Sequence, residues 1–110
     1  MPKHYRHNPL SLLTEVLASV ARCKKLGLVV TVGQVERHLI NIRVARSQVV
    51  QALNDLHEWG LLTCTKFDYR KNVRSCAYDI DGRNGGHAVI QALIQFHPDI
   101  SPYFPEMAGV

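Results

Sequence analysis

Between Arg43 and Gln51 the sequence RVARSQVVQ sets two guanidiniums, a hydroxyl and two carboxamides within nine residues. These groups suit base edges: an arginine can bond guanine through two donors, a glutamine can do the same with adenine, and Val50 could meet a thymine methyl. Arg43, Arg46, Ser47, Gln48, Val50 and Gln51 are one candidate contact set, the alternative being an ordinary solvated helix face, which carries Arg and Gln as well. A second lies downstream, where Lys66, Arg70, Lys71 and Arg74 gather with Asp68 as their one opposing acid. Such a cluster suits phosphate oxygens, adding affinity that falls with salt, the alternative being a solvated turn that needs polar residues anyway. Thr31, Arg37, Lys3, His4 and Arg6 are weaker candidates for the same contacts.

Other chemistries find little to stand on. Six histidines and three cysteines show no Cys-x-x-Cys or His-x-x-x-His spacing, so no metal site is expected. Glu15, Glu36, Asp55 and Glu58 are scattered along helical segments, and no nucleophile elbow appears. The glycines of DGRNGG follow a hairpin and lack a phosphate-loop Lys-Ser/Thr, which makes that stretch a linker. The expectation is no catalytic residue, no metal and no cofactor, hence no enzyme. Cys64 and Cys76 read as cross-strand packing residues near His57, with a disulfide or thiol switch as the alternative; Cys23 reads as packing.

The chain must position these groups with one modest core, since 110 residues make a single domain. Apolar residues form 46% and charged ones 20%, a globular balance with a net charge of +4. No apolar run is long enough to span a membrane, and MPKHYRHNPL lacks the apolar centre of a signal peptide. With an odd number of widely spaced cysteines, the expected location is the cytoplasm, at the nucleoid if DNA is bound.

Leu10, Leu13, Val16, Leu17, Val20 and Ala21 recur at helical steps, predicting a first helix that ends in Lys24, Lys25 and a capping Gly27. A short extended LVV follows. Thr31 and Gln34 form a capping-box pattern for a second helix of about three turns, ending near Asn41, with Val32, Val35, Leu39 and Ile40 on its apolar side. Only NIRV then remains as a tight turn before the third helix, over about 45–59, whose inward stripe is Val49, Ala52, Leu53 and Leu56. Trp59 flanks its end and Gly60 stops it. The period changes to two from Leu62 to Ile80, predicting a hairpin turning near Arg70 with Leu62 across from Tyr78 and Cys64 across from Cys76. HAVIQALIQFH predicts a fourth helix, apolar nearly all round, and Pro98 begins a tail without regular structure.

Helix, short strand, helix, turn, helix, hairpin is an α+β order that resembles the winged helix-turn-helix domain of small bacterial and phage transcription regulators, of the MarR-like and PadR-like kind. The resemblance rests on Val44, Arg46, Ser47, Val49, Ala52, Leu53, Leu56, Glu58, Gly60, Leu61 and Leu62, and covers roughly 10–80. Ala45 departs from it, standing where a capping Ser or Thr is common. The resemblance implies a winged domain over 10–81; around it the residues themselves give a flexible basic N-terminus over 1–9, a linker and additional C-terminal helix over 82–97, expected to dimerise, and a Pro-rich tail over 98–110. It also implies a protein reading duplex DNA with the third helix in the major groove and the hairpin on the backbone or minor groove.

Two half-sites call for two copies, so helices 1 and 4 of two chains are expected to pack together, one face of the fourth helix meeting its own domain and the other a partner; the alternative is a fourth helix packed back on the first helix of the same chain. Val89, Leu93 and Phe96 would line one face and Ile90 and Ile94 the other, together with Leu13 and Leu17. Two alternatives share the fold: a module that binds protein through Val50, Asp55 and Glu58, or a DNA-replication or plasmid-partition factor. Neither the target sequence nor the sign of regulation is encoded legibly.

Overall fold

The computed structural model describes residues 9–40, 42–70, 73–81, 83 and 86–99, with the side chains of 9, 67–70 and 73–75 left out. The basic N-terminus, Lys71, and the tail from 100 onward lie outside the described residues.

Among the described residues the architecture is α+β: four helices and a two-stranded antiparallel hairpin. The helices are α1 (Pro9–Lys25), α2 (Val32–Arg37), α3 (Arg46–Glu58) and α4 (Ala88–Phe96), and the strands β1 (Leu62–Arg70) and β2 (Val73–Ile80). α1 is the central post, packing against α2, α3, α4 and β2. Its Val16, Leu17, Ala18, Val20, Ala21 and Cys23 are buried almost completely, because its apolar residues cover most of its circumference rather than one stripe. None of the described helices is long and apolar enough to cross a membrane.

Two glycines set the corners. Gly27 and Gly60 adopt φ of 75° and 80°, the left-handed region that a Cβ disfavours. At each, the following N–H reaches back five residues: Leu28 to the Cys23 carbonyl at 3.0 Å and Leu61 to the Leu56 carbonyl at 2.9 Å. Both helices thus end in the same left-handed cap. Beyond the first, the extended segment 28–30 runs beside β2, with the Tyr78 N–H donating to the Val30 carbonyl at 2.9 Å.

Several expectations need correction. α2 has six residues rather than three turns, so an eight-residue connector, 38–45, replaces the tight turn. The reason is tertiary: the Arg22 guanidinium donates to the His38 carbonyl at 3.0 Å, holding it outside the helical ladder. Thr31 caps α2 by accepting from the Gln34 N–H at 3.3 Å, but Gln34 Oε1 is buried without a described partner, so the capping box is half made. The hairpin register is Leu62 with Ile80, Cys64 with Tyr78 and Lys66 with Cys76, two residues from the expected pairing. A shift of two preserves which residues share a face, so Cys64 and Cys76 remain neighbours, diagonally rather than directly.

The largest correction concerns α4. Val89, Ile90 and Leu93, with Leu13 and Leu17 of α1, are at most 8% exposed and belong to the protomer's own core, so they cannot also form a surface for a second copy. Successive helical residues lie 100° apart, which lets Val89 and Ile90 enter one wide buried arc rather than opposite faces. Of the expected dimer set only Phe96, 65% exposed, and half-buried Ile94 reach the surface.

Candidate nucleic-acid interface

α3 is fixed from beneath. Val49, Ala52, Leu53 and Leu56 are each no more than 2% exposed, as their spacing predicts. The opposite side of the same helix carries Ser47, Gln51, Asn54 and Glu58, all exposed. Arg43, Arg46 and Gln48 are also exposed at its N-terminal end, and Val50 is half-buried at the flank. The structure thus brings Arg43, Arg46, Ser47, Gln48 and Gln51 to one end of one helix. Asn54 is the member that the sequence reading missed. Its signal was present, since it lies seven residues from Ser47 and three from Gln51, in the same outward row.

Several of these side chains are already engaged. Gln48 Oε1 accepts the Ala45 N–H at 3.0 Å, the half of a capping box that needs no side-chain oxygen at Ala45; the other half has no acceptor there. Gln51 Nε2 donates to Asp55 Oδ1 at 2.9 Å, an i, i+4 pair along the helix. Arg46 Nη1 stands 3.4 Å from Glu36 Oε1, tying α3 to α2 across a solvent-exposed gap. That pair is loose and exposed, so it holds Arg46 weakly and leaves it able to exchange Glu36 for another anion. Arg43, Val44, Ala45 and Gln48 border a shallow depression beside these groups.

α2 is held in place beneath this end by a polar row on α1. The Ser19 hydroxyl donates to the Val35 carbonyl at 2.6 Å, Arg22 holds His38, and the His38 ring donates to the Gln34 carbonyl at 2.8 Å. Cys23 Sγ lies 3.7 Å from the same ring nitrogen, and burial pushes the Cys23 thiol above its ordinary range. Cys23, fully buried, packs in the core.

On the hairpin, Lys66 is exposed and the backbone register sets Asp68 across from Arg74 and Arg70 across from Val73. The side chains of Arg70 and Arg74 lie outside what is described. At the other end of the hairpin an ion pair joins Lys24 of α1 to Asp79, and the Asp81 N–H donates to the Leu61 carbonyl at 2.9 Å. Arg83 folds back on Asp81 and holds its carboxyl below the usual range. Burial, with the nearby Cys76 thiol, raises the Cys64 thiol. Among the described residues no three His, Cys, Asp or Glu side chains come together as metal ligands.

Trp59 and His87 stack with ring centroids 5.3 Å apart, closing the C-terminal end of α3 against the start of α4. The outward face is therefore bounded by an aromatic stack at one end and by arginines at the other. No family model matches this chain, and no curated protein or solved structure matches it at a significant level.

Proposed function

We propose that this chain is a winged helix-turn-helix protein that binds duplex DNA and regulates transcription, with α3 in the major groove and the β1–β2 hairpin against the flanking backbone. One observation carries the reading: a helix anchored by four buried residues presents arginine, hydroxyl and carboxamide groups together on its exposed N-terminal half. Helix-turn-helix proteins approach base edges with that half of that helix. Four helices and a hairpin in this order are compatible with the winged architecture. Glu58, at the far end of the outward row, would repel phosphate and so confines the contact to the segment from Arg43 to Asn54.

Two copies on two half-sites remain part of the proposal, because one small module binds weakly. Their contact lies outside the buried α1–α4 seam. The test is fluorescence anisotropy of a labelled duplex pool between about 50 and 200 mM salt, where phosphate-driven affinity falls steeply. Arg46→Ala and Arg70→Ala are each expected to weaken binding. Undetectable duplex binding at the lower salt overturns the proposal. Selection of bound sequences from a random pool would then define the site.

A further inference from the structure

The N-terminal turn of α1 and the C-terminal turn of α4 do not close completely on one another. Between them lies a cleft of about 470 Å³, lined by Leu10, Ser11, Thr14 and Glu15 on one side and Ala92, Phe96 and His97 on the other. That volume falls within the range of small-molecule sites.

Its polar floor is a pair. His97 Nε2 lies 2.9 Å from Glu15 Oε2, and both side chains are largely buried, 10% and 16% exposed. The second carboxylate oxygen, Oε1, is buried and has no described hydrogen-bond partner. A buried acceptor left unpaired is costly, more so when it carries charge. Thr14 cannot supply the missing donor, because its hydroxyl donates to the Leu10 carbonyl at 2.7 Å. The rim is apolar, with Phe96 and Leu10 65% and 39% exposed, and Ala92 forms part of the wall.

We infer that this cleft binds a small amphipathic amine, its ammonium bonded to Glu15 and its apolar body lying against Phe96, Leu10 and Ala92. Charge decides the class of ligand. With His97 neutral the pair bears one negative charge, and with His97 protonated it bears none; in neither state does it attract an anion. Rotation about the last torsion of Glu15, a soft one, moves both oxygens together, so turning Oε1 to the cleft exchanges the His97 contact for one with the ligand. An ammonium supplies the missing donor, and the exposed Phe96 face adds cation–π and apolar contact. The inference does not depend on DNA binding, since the cleft lies between α1 and α4 and shares no lining residue with the α3 surface.

The experiment titrates the 110-residue chain, without DNA, with phenethylamine, phenylacetate and phenethyl alcohol. Amide and side-chain NMR shifts are followed at Thr14, Glu15, Phe96 and His97. Phenethylamine should saturate these shifts and bind more tightly than the other two. Glu15→Gln should lower its affinity by about tenfold or more, the worth of one charge-assisted bond. Phe96→Ala, which leaves the Glu15–His97 pair in place, should also weaken binding and guards against misfolding of the first variant. Equal or tighter binding of phenylacetate overturns the inference. So does the absence of saturation by phenethylamine up to about 10 mM.

Discussion

α3 and α4 both follow an apolar repeat, yet they divide their surfaces differently. Four of the thirteen residues of α3 are buried, in one narrow row, and apart from half-buried Val50 the remaining residues are polar or charged. Four of the nine residues of α4 are buried, and the helix carries no charged side chain at all. Its exposed residues are Ala88, Gln91, Gln95 and Phe96. A narrow anchor leaves α3 a long face to offer a partner, whereas α4 is spent largely on the core of its own chain. Excess apolarity along a helix is therefore ambiguous: it can mean a second partner or a deeper seat, and α4 takes the seat.

The most forceful way to break this comparison is to truncate both anchors. Leu53→Ala in α3 and Leu93→Ala in α4 remove side chains 0% and 1% exposed. Each should cost about 2–5 kcal/mol of unfolding free energy, measured by urea denaturation, because each removes buried methyls and leaves a cavity. Both losses should be independent of protein concentration. If Leu93→Ala left monomer stability intact and instead altered sedimentation with concentration, α4 would be an interface after all.

What could be read from the sequence follows the same division. The α3 stripe was legible because one narrow row at helical spacing has a single interpretation. Val89 and Ile90 were misassigned to opposite faces because adjacent apolar residues fit either a wide buried arc or two separate faces, and only the position of α1 selects between them. The hairpin faces were legible while the register was not: alternation fixes parity, and a shift of two residues leaves parity unchanged. The early end of α2 was hidden because it depends on Arg22, sixteen residues away, reaching the His38 carbonyl. At the candidate interface, exposure of Arg43, Arg46, Ser47, Gln48 and Gln51 was legible, whereas Val50 is only half exposed. The Arg46–Glu36 tie required the placement of α2. The Gln51–Asp55 pair could have been anticipated from its i, i+4 spacing.

The core can also be probed with pH. Burial, followed by the Cys76 and Cys64 thiols beside it, pushes the Tyr78 phenol up to about 12 from its ordinary 10. A raised value means the fold favours the neutral phenol. The associated stability is fully present below pH 10 and is lost as pH rises toward 12. Two units correspond to roughly 2–3 kcal/mol at most. Ultraviolet titration should show one of the four tyrosines ionising late, and Tyr78→Phe should flatten the alkaline loss of stability. Unchanged alkaline melting in that variant would remove Tyr78 from the buried side of the comparison.

A smaller effect tests the corner preceding the interface. Gly27 sits at φ 75°, and a Cβ there would meet nothing within 4 Å. Gly27→Ala should therefore cost only the backbone strain of the left-handed region, about 1–2 kcal/mol. A larger loss of unfolding free energy would mean that the extended segment beside β2 also moves, and with it the platform beneath α2.

The smallest expected change in stability is the most informative about the exposed side. Arg46 pairs with Glu36 at 3.4 Å, and their side chains are 62% and 37% exposed, so Arg46→Ala should shift unfolding by no more than about 1 kcal/mol. If α3 offers its N-terminal half to DNA, the same substitution should weaken duplex binding far more than it weakens the fold, and should reduce the salt slope or relax one position of the selected sequence. Glu36→Gln separates the two roles. It removes the anion that competes for Arg46 and should strengthen duplex binding while leaving the fold nearly unchanged. Opposite signs for Arg46→Ala and Glu36→Gln would show that Arg46 exchanges Glu36 for phosphate or a base edge. Equal losses of binding in both variants would instead make the pair a brace between α2 and α3, with the contact surface lying elsewhere on the outward row.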